Sequence, residues 1–294
     1  MKKSSVDKQL LIESKYVKKR LFELLESPVQ GSFDAIHLQK IHQRIFQDLP
    51  ANGCTHVKPG KFRKQVPANK VWYKERNIKG LKSSYDVVYS LMDAKAVQQI
   101  DKVLLDANPA ELSKLSVPEF AQKMADIYAN LDYLHPFDDG NSRTLRVFTN
   151  QLADEAGFEL AWENFNNNEN GKNILYIARD IAVNKIIVNT HSNDAVKRDA
   201  QLILNMLTEY KSLQQLLPAV IKSKHQIKLE DAVKNASLAL DDFKKQQSSD
   251  INLYEKLANQ ASAARYELDM FIENGYKPPA IDNPKQSATK SRGR

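Results

Sequence analysis

The sequence predicts an all-α protein, and three observations carry that reading. Apolar residues recur at three- and four-residue spacing through most of the 294 residues. Helix-start signatures of the Ser-x-x-acid form stand at Ser83 and Ser116, and only the stretch around Val71-Trp72-Tyr73 has an extended texture. In chain order, Leu10, Tyr16, Val17, Leu21, Leu24 and Leu25 mark a first helix. A second starts at Ser32, with Phe33, Ile36, Ile41 and Ile45 on one side. Gly60 to Gly80 reads as loop and short extended segments. Ser83-Ser84-Tyr85-Asp86 predicts a helix over Ser84–Asp106. Ser116-Val117-Pro118-Glu119 predicts another over Val117–Leu134, its proline in the first turn, where no N–H is needed. Leu145, Phe148, Leu152 and Ala156 keep helical spacing from Asn141 to the stop at Gly157, and a further helix follows near Lys172–Asn189.

Past Val220 the texture turns polar. Leu229, Val233, Ala236, Leu240 and Phe243 form one stripe, and Leu257, Ala261, Ala264, Leu268 and Phe271 a second, across the turn Gln246-Gln247-Ser248-Ser249-Asp250. That pattern is a helical hairpin. Pro278-Pro279 ends it, and Ala280–Arg294 is expected to be disordered. The expected organisation is an N-terminal helical extension (1–35), a main domain (36–220), the hairpin (221–277) and a disordered basic tail (278–294).

Composition excludes several function classes. Neither G-x-x-x-x-G-K-[ST] nor G-x-G-x-x-G can be written anywhere among the nine glycines, so Walker and Rossmann nucleotide sites are out. One cysteine, Cys54, excludes an internal disulfide or a multi-cysteine metal site and fits a reducing compartment. The net charge is +7, of which the last 17 residues hold +3, so the basic balance argues only weakly for a nucleic-acid groove, and nucleic acid is not the expected partner. No run reaches the roughly 18 apolar residues of a spanning helix, and the start leads into charges. No membrane association is expected. The expected location is cytoplasmic, with secretion through the basic tail as the alternative.

Chemistry concentrates in Leu134-His135-Pro136-Phe137-Asp138-Asp139-Gly140-Asn141-Ser142-Arg143-Thr144-Leu145-Arg146, between two predicted helices. Pro136 disfavours helix at His135, so the histidine should be presented from a loop. Gly140-Asn141 turns the chain into the next helix, whose free N–H groups and dipole make an anion site. Arg143 and Arg146 share a helical face and add full charges there, which suits a polyphosphate. Asp139 is placed to hold magnesium bridging phosphate oxygens. His135, near pKa ~6.5 when unperturbed, can take a proton from an attacking hydroxyl.

This segment resembles the Fic family signature H-x-F-x-(D/E)-G-N-G-R-x-x-R, matching at His135, Phe137, Asp139, Gly140, Asn141, Arg143 and Arg146 and departing at Ser142, where glycine is usual. Ile41–Asp48, Pro59–Arg63 and Ala153–Gly157 look like further parts of that family. The resemblance implies a Fic-type helical bundle with a short β-hairpin flap. It also implies transfer of AMP from ATP to a hydroxyl side chain of another protein. By position, His135 looks like the general base, Asp139 the magnesium ligand and Asn141 an α-phosphate contact. Gly140, Ser142 and Arg143 would line the phosphate cradle, Arg146 would hold the γ-phosphate, and Phe137 would anchor the loop. The flap, within Lys64–Glu75, would hold an extended target segment by main-chain pairing.

Ser142 leaves UMP, GMP or phosphocholine transfer open, as well as a catalytically degenerate binding scaffold. Many relatives carry an inhibitory (S/T)-x-x-x-E-(G/N) helix. The nearest match is Asp269-Met270-Phe271-Ile272-Glu273-Asn274, without the hydroxyl residue. The resemblance therefore points to a toxin controlled by a separate small antitoxin, a branch whose targets include type II topoisomerase subunits.

Overall fold

The computed structural model describes residues 2–67, 70–78, 81, 83–165, 168–246 and 250–277, with only the backbone for 2–8. The chain divides into two compact units, Met1–Lys222 and Ser223–Arg294.

In the first unit α1 (Lys2–Glu26) lies along α2 (Ala35–Phe46). Arg20 of α1 forks onto Asp48 with bonds of 2.7 and 2.8 Å, and Glu23 accepts from Arg44 at 3.0 Å. The capping residue of α2 is Asp34, whose side chain accepts from the His37 N–H, two residues after the expected start at Ser32. Strands β1 (Trp72–Arg76) and β2 (Tyr85–Tyr89) pair antiparallel from Trp72↔Tyr89 to Arg76↔Tyr85.

Here the structure corrects the helix expected over Ser84–Asp106. Tyr85, Val87 and Tyr89 alternate inward at the two-residue period of a strand, and burying them outweighs the local Ser-x-x-acid signature. The helix begins only at α3 (Ala94–Leu104), where the Asp93 carboxylate accepts from the Ala96 N–H. Extended structure is thus not confined to the stretch around Val71.

After the short α4 (Pro109–Leu112), α5 (Val117–Leu134) spans the middle of the unit. Phe120, Ala121, Met124, Ala125, Tyr128 and Leu131 are buried along one broad face, and the buried Ile127 and Ala129 widen it to either side. The Ser116 N–H donates to the Glu119 carboxylate at 2.8 Å, so this capping signature holds. Helix α6 (Asn141–Glu155) follows a six-residue loop, and Gly157, at φ 84°, turns the chain out of it into β3 (Phe158–Leu160). Helix α7 (Glu169–Thr190) packs against α5 and, with α8 (Asp194–Met206), supports the β1–β2 hairpin, while α9 (Leu213–Leu216) closes against α5. Tyr85, Val87 and Tyr89 share a core with Ile177, Ile181 and Ile187 of α7.

The second unit is the expected hairpin, α10 (Lys224–Lys245) with α11 (Ile251–Glu273), and Leu229, Leu268 and Phe271 form its small core. Part of the predicted turn, Gln247–Ser249, and the tail expected to be disordered from Pro278 lie outside the described residues.

Candidate active site

The loop from His135 to Gly140 sits where α5 stops and α6 starts, and its own sequence forces both events. His135 caps α5 in a left-handed conformation (φ 46°, ψ 58°), because Pro136 cannot continue the helix. Gly140 starts α6 at φ 77°. A β-carbon on Gly140 would meet the Phe46 ring at 2.3 Å, so both conformation and space demand glycine here. Asn141 closes the loop by accepting from the Phe137 N–H at 3.0 Å and donating to the Phe137 carbonyl at 2.7 Å. The resemblance implied an α-phosphate contact for Asn141; the structure buries its amide and spends it on the loop, leaving one amide hydrogen uncommitted. Phe137 is fully buried and stacks on His42, with centroids 3.9 Å apart.

Two supporting residues lie in the stretches that resemble further parts of the family, Ile41–Asp48 and Pro59–Arg63, though nothing there marks them as partners of the loop. His42 Nδ1 accepts from the Gly60 N–H at 2.9 Å, so its Nε2–H is left to donate to the Asp139 carbonyl at 3.1 Å. Burial lowers its pKa to about 4, which keeps the ring neutral. Arg63, only 4% exposed, donates to the His135 carbonyl (2.7 Å) and the Ser90 carbonyl (2.5 Å), and its N–H to the Pro136 carbonyl (2.8 Å). These contacts join residues from 27 to 73 positions apart, which no local pattern announces. Arg63 also lies 4.8 Å from the Trp72 ring.

His135 is 3% exposed, and its Nε2 has no hydrogen-bond partner. Burial first, then the cations Lys74, Arg179 and Arg63, hold its pKa well below the ordinary value, so the ring is neutral at physiological pH. The Tyr89 ring lies 4.1 Å away. Lys74 faces inward on β1 with Trp72 and Arg76, whereas Tyr73 and Glu75 face out. The hairpin is pinned from beneath by Asp180, which accepts from Arg76 (3.0 Å) and from the Tyr85 hydroxyl (2.9 Å).

Asp139, its side chain 45% exposed, stands at the mouth of the loop. One oxygen accepts from the Gly140 N–H at 2.7 Å and the other lies 3.7 Å from Arg143 Nη2. Among the described residues no three acidic, histidine or cysteine side chains gather around a possible ion. A lone accessible carboxylate fits magnesium only if substrate phosphates and water complete the shell.

Arg143 packs over Phe46 at 4.8 Å and is bonded to Glu13 of α1. Glu13 lies outside the (S/T)-x-x-x-E-(G/N) pattern, with Gln9 in place of the hydroxyl residue and Ser14 in place of the final glycine or asparagine. Arg146 Nε donates to the Ser142 carbonyl at 3.3 Å, and burial holds its pKa below the ordinary value. The Ser142 hydroxyl accepts from Arg179 of α7 at 3.1 Å. A cavity of about 1110 Å³ between α1 and α6 is lined by Arg143 and Arg146 but not by His135 or Asp139. The structure thus brings all seven predicted residues to one helix junction, with the base covered.

Residues 32–153 match the family model described as Fic/DOC family. Protein adenylyltransferase VbhT of Bartonella schoenbuchensis is 31% identical over 152 residues, 52% of this chain and 27% of that protein. A protein adenylyltransferase of Bartonella henselae is 29% identical over 144 residues, 48% of this chain and 25% of the relative. The chain thus spans about a quarter of the length of these curated relatives. Among solved structures, the N-terminal Fic domain of a putative cell filamentation protein from Bartonella quintana with bound ADP is 19% identical. It covers 74% of this chain and 86% of its own, at a TM-score of 0.48. No helix among the described residues is long and apolar enough to cross a membrane.

Proposed function

We propose, since residues 32–153 match the Fic/DOC family model, that the chain is a protein adenylyltransferase moving AMP from ATP onto a hydroxyl of a target protein. The observation that carries this reading is a neutral, sealed imidazole whose Nε2 is unengaged, four residues before an acidic side chain at a helix N-terminus. His135 Nε2 takes the proton of the target hydroxyl as that oxygen attacks the α-phosphorus. The bond to the β-phosphate oxygen breaks, and pyrophosphate leaves.

Such chemistry asks for positioning and charge neutralisation more than for covalent help. The α6 N-terminus, Arg143 and Arg146 supply cationic and N–H groups for the phosphates, and Asp139 would hold magnesium, which when bound neutralises phosphate charge. The free edge of β1, with Tyr73 and Glu75 outward, suits main-chain pairing with an extended target segment. That segment would reach Nε2 only after the buried His135 ring is uncovered.

A toxin held by a separate antitoxin in the cytoplasm remains the proposed setting. The Glu13–Arg143 pair favours a second form of control, in which α1 itself occupies a phosphate-binding arginine. Incubation with magnesium, bacterial lysate and ATP labelled at the α- or the γ-phosphate tests the reading. Protein-bound α-label is expected. Label from γ-labelled ATP alone would mean a kinase, and label from UTP or GTP but not ATP would reassign the transferred group. No transfer from any nucleotide would leave a binding scaffold. Glu13→Ala should speed labelling if the brake lies within the chain and leave it unchanged if an antitoxin alone restrains it.

A further inference from the structure

The unengaged Nε2 of His135 raises the question of what holds the other ring nitrogen. Asp132 stands one helical turn earlier on α5 and is 1% exposed. Its main-chain carbonyl lies 3.4 Å from His135 Nδ1, and its carboxylate Oδ1 lies 3.9 Å away. Both are acceptors. The geometry therefore assigns the ring proton to Nδ1 and leaves the lone pair on Nε2, the nitrogen with no partner. The opposite tautomer would bury an N–H with nothing to receive it and set two acceptors against a lone pair.

Asp132 is itself fixed. Arg179 of α7 grips its carboxylate with both prongs, Nε to Oδ2 at 3.0 Å and Nη2 to Oδ1 at 2.8 Å. The third guanidinium nitrogen, Nη1, donates to the Ser142 hydroxyl in the first turn of α6. One buried cation thus joins the carboxylate behind the histidine to the helix end proposed to cradle phosphate. Arg63 holds the same histidine by its carbonyl from the other side.

We propose that Asp132 and Arg179 are positioning residues for the transfer. Asp132 sets the tautomer and direction of the His135 ring. Arg179 neutralises Asp132 and, through Ser142, keeps the base in register with the phosphate cradle. Ser142 is then no obstruction where relatives carry glycine, because its side chain is turned onto Arg179. The proposal rests on the base role given to His135 above and adds residues that no sequence motif marks.

The test combines imidazole ¹⁵N NMR of the full chain with steady-state labelling from α-labelled ATP. The expected wild-type spectrum has the His135 proton on Nδ1. Asp132→Asn, which can offer that nitrogen an amide in place of a carboxylate, should mix the tautomers. It should also lower kcat by about 10²-fold or more with KM for ATP unchanged. Arg179→Lys should retain part of that activity and Arg179→Met very little.

A wild-type ring protonated on Nε2 overturns the proposal, with or without transfer activity. So does an Asp132→Asn protein with unchanged tautomer and kcat. Should Asp132→Asn fail to fold, the wild-type spectrum and the graded Arg179 pair decide the matter, equal activity in Lys and Met variants counting against it. An Nδ1–H ring in a protein that transfers no nucleotide supports the orientation and overturns the adenylyl-transfer reading instead.

Discussion

The loop between α5 and α6 and the α10–α11 hairpin handle polar side chains in opposite ways. Around the loop, Asp132, Asn141, Arg179, Arg63 and His42 are buried, and most of their bonds cross between distant elements: Arg63 to the His135 carbonyl, Arg179 to Asp132, His42 to the Asp139 carbonyl. In the hairpin two ion pairs, Lys245–Asp242 and Arg265–Asp269, lie three or four residues apart on exposed helix faces. Pairs of the second kind support a helix and little else, whereas those of the first kind hold one arrangement of a loop against all others. The loop is over-determined because chemistry needs its atoms within tenths of an ångström; the hairpin needs only its stripe.

Four substitutions or conditions break or sharpen that contrast. The largest effect is expected for His135→Ala: transfer falls by about 10²–10⁴-fold, while ATP affinity by calorimetry stays near wild type. Full labelling by this variant would remove His135 from the mechanism. Next comes Arg76→Met, which leaves the buried Asp180 carboxylate with only the Tyr85 hydroxyl and Arg179's field and should cost about 3–5 kcal/mol in denaturant unfolding.

Acid should follow. His42 has a pKa of about 4 in the folded protein against 6.5 unperturbed, so below pH 6.5 the unfolded chain binds a proton that the folded one refuses. Its contribution makes stability flat above pH 6.5 and falling from there to pH 4, by about 3 kcal/mol in all. Unfolding curves of wild type and His42→Gln across that range check the sign, the variant showing the shallower decline. Smallest is Arg265→Ala in the hairpin, which should shift unfolding by less than about 0.5 kcal/mol. A larger loss there would mean the exposed pair does more than decorate a helix.

The helices around the site were legible because their signals are local. Pro118 and Glu119 announce α5, Gly157 stops α6, and the His135–Arg146 spacing marks the junction itself. The Ser83 signature misled for the same reason. It reports only what four residues prefer, and Tyr85, Val87 and Tyr89 gain more by lining up on α7 as a strand than by starting a helix. Glu13, Asp132 and Arg179 escaped notice because each is an ordinary charged residue on its own helix.

By itself, then, the sequence determined the helical class, the broken junction at Pro136 and Gly140, and which residue types stand there, since backbone preference and hydrophobic period act over a few positions. Only the tertiary structure decided which nitrogen of His135 is unengaged, which arginine meets Glu13, and that Ser142 faces α7. Those outcomes depend on burial, which makes each polar atom find a partner wherever the fold brings one, at separations that no local pattern encodes.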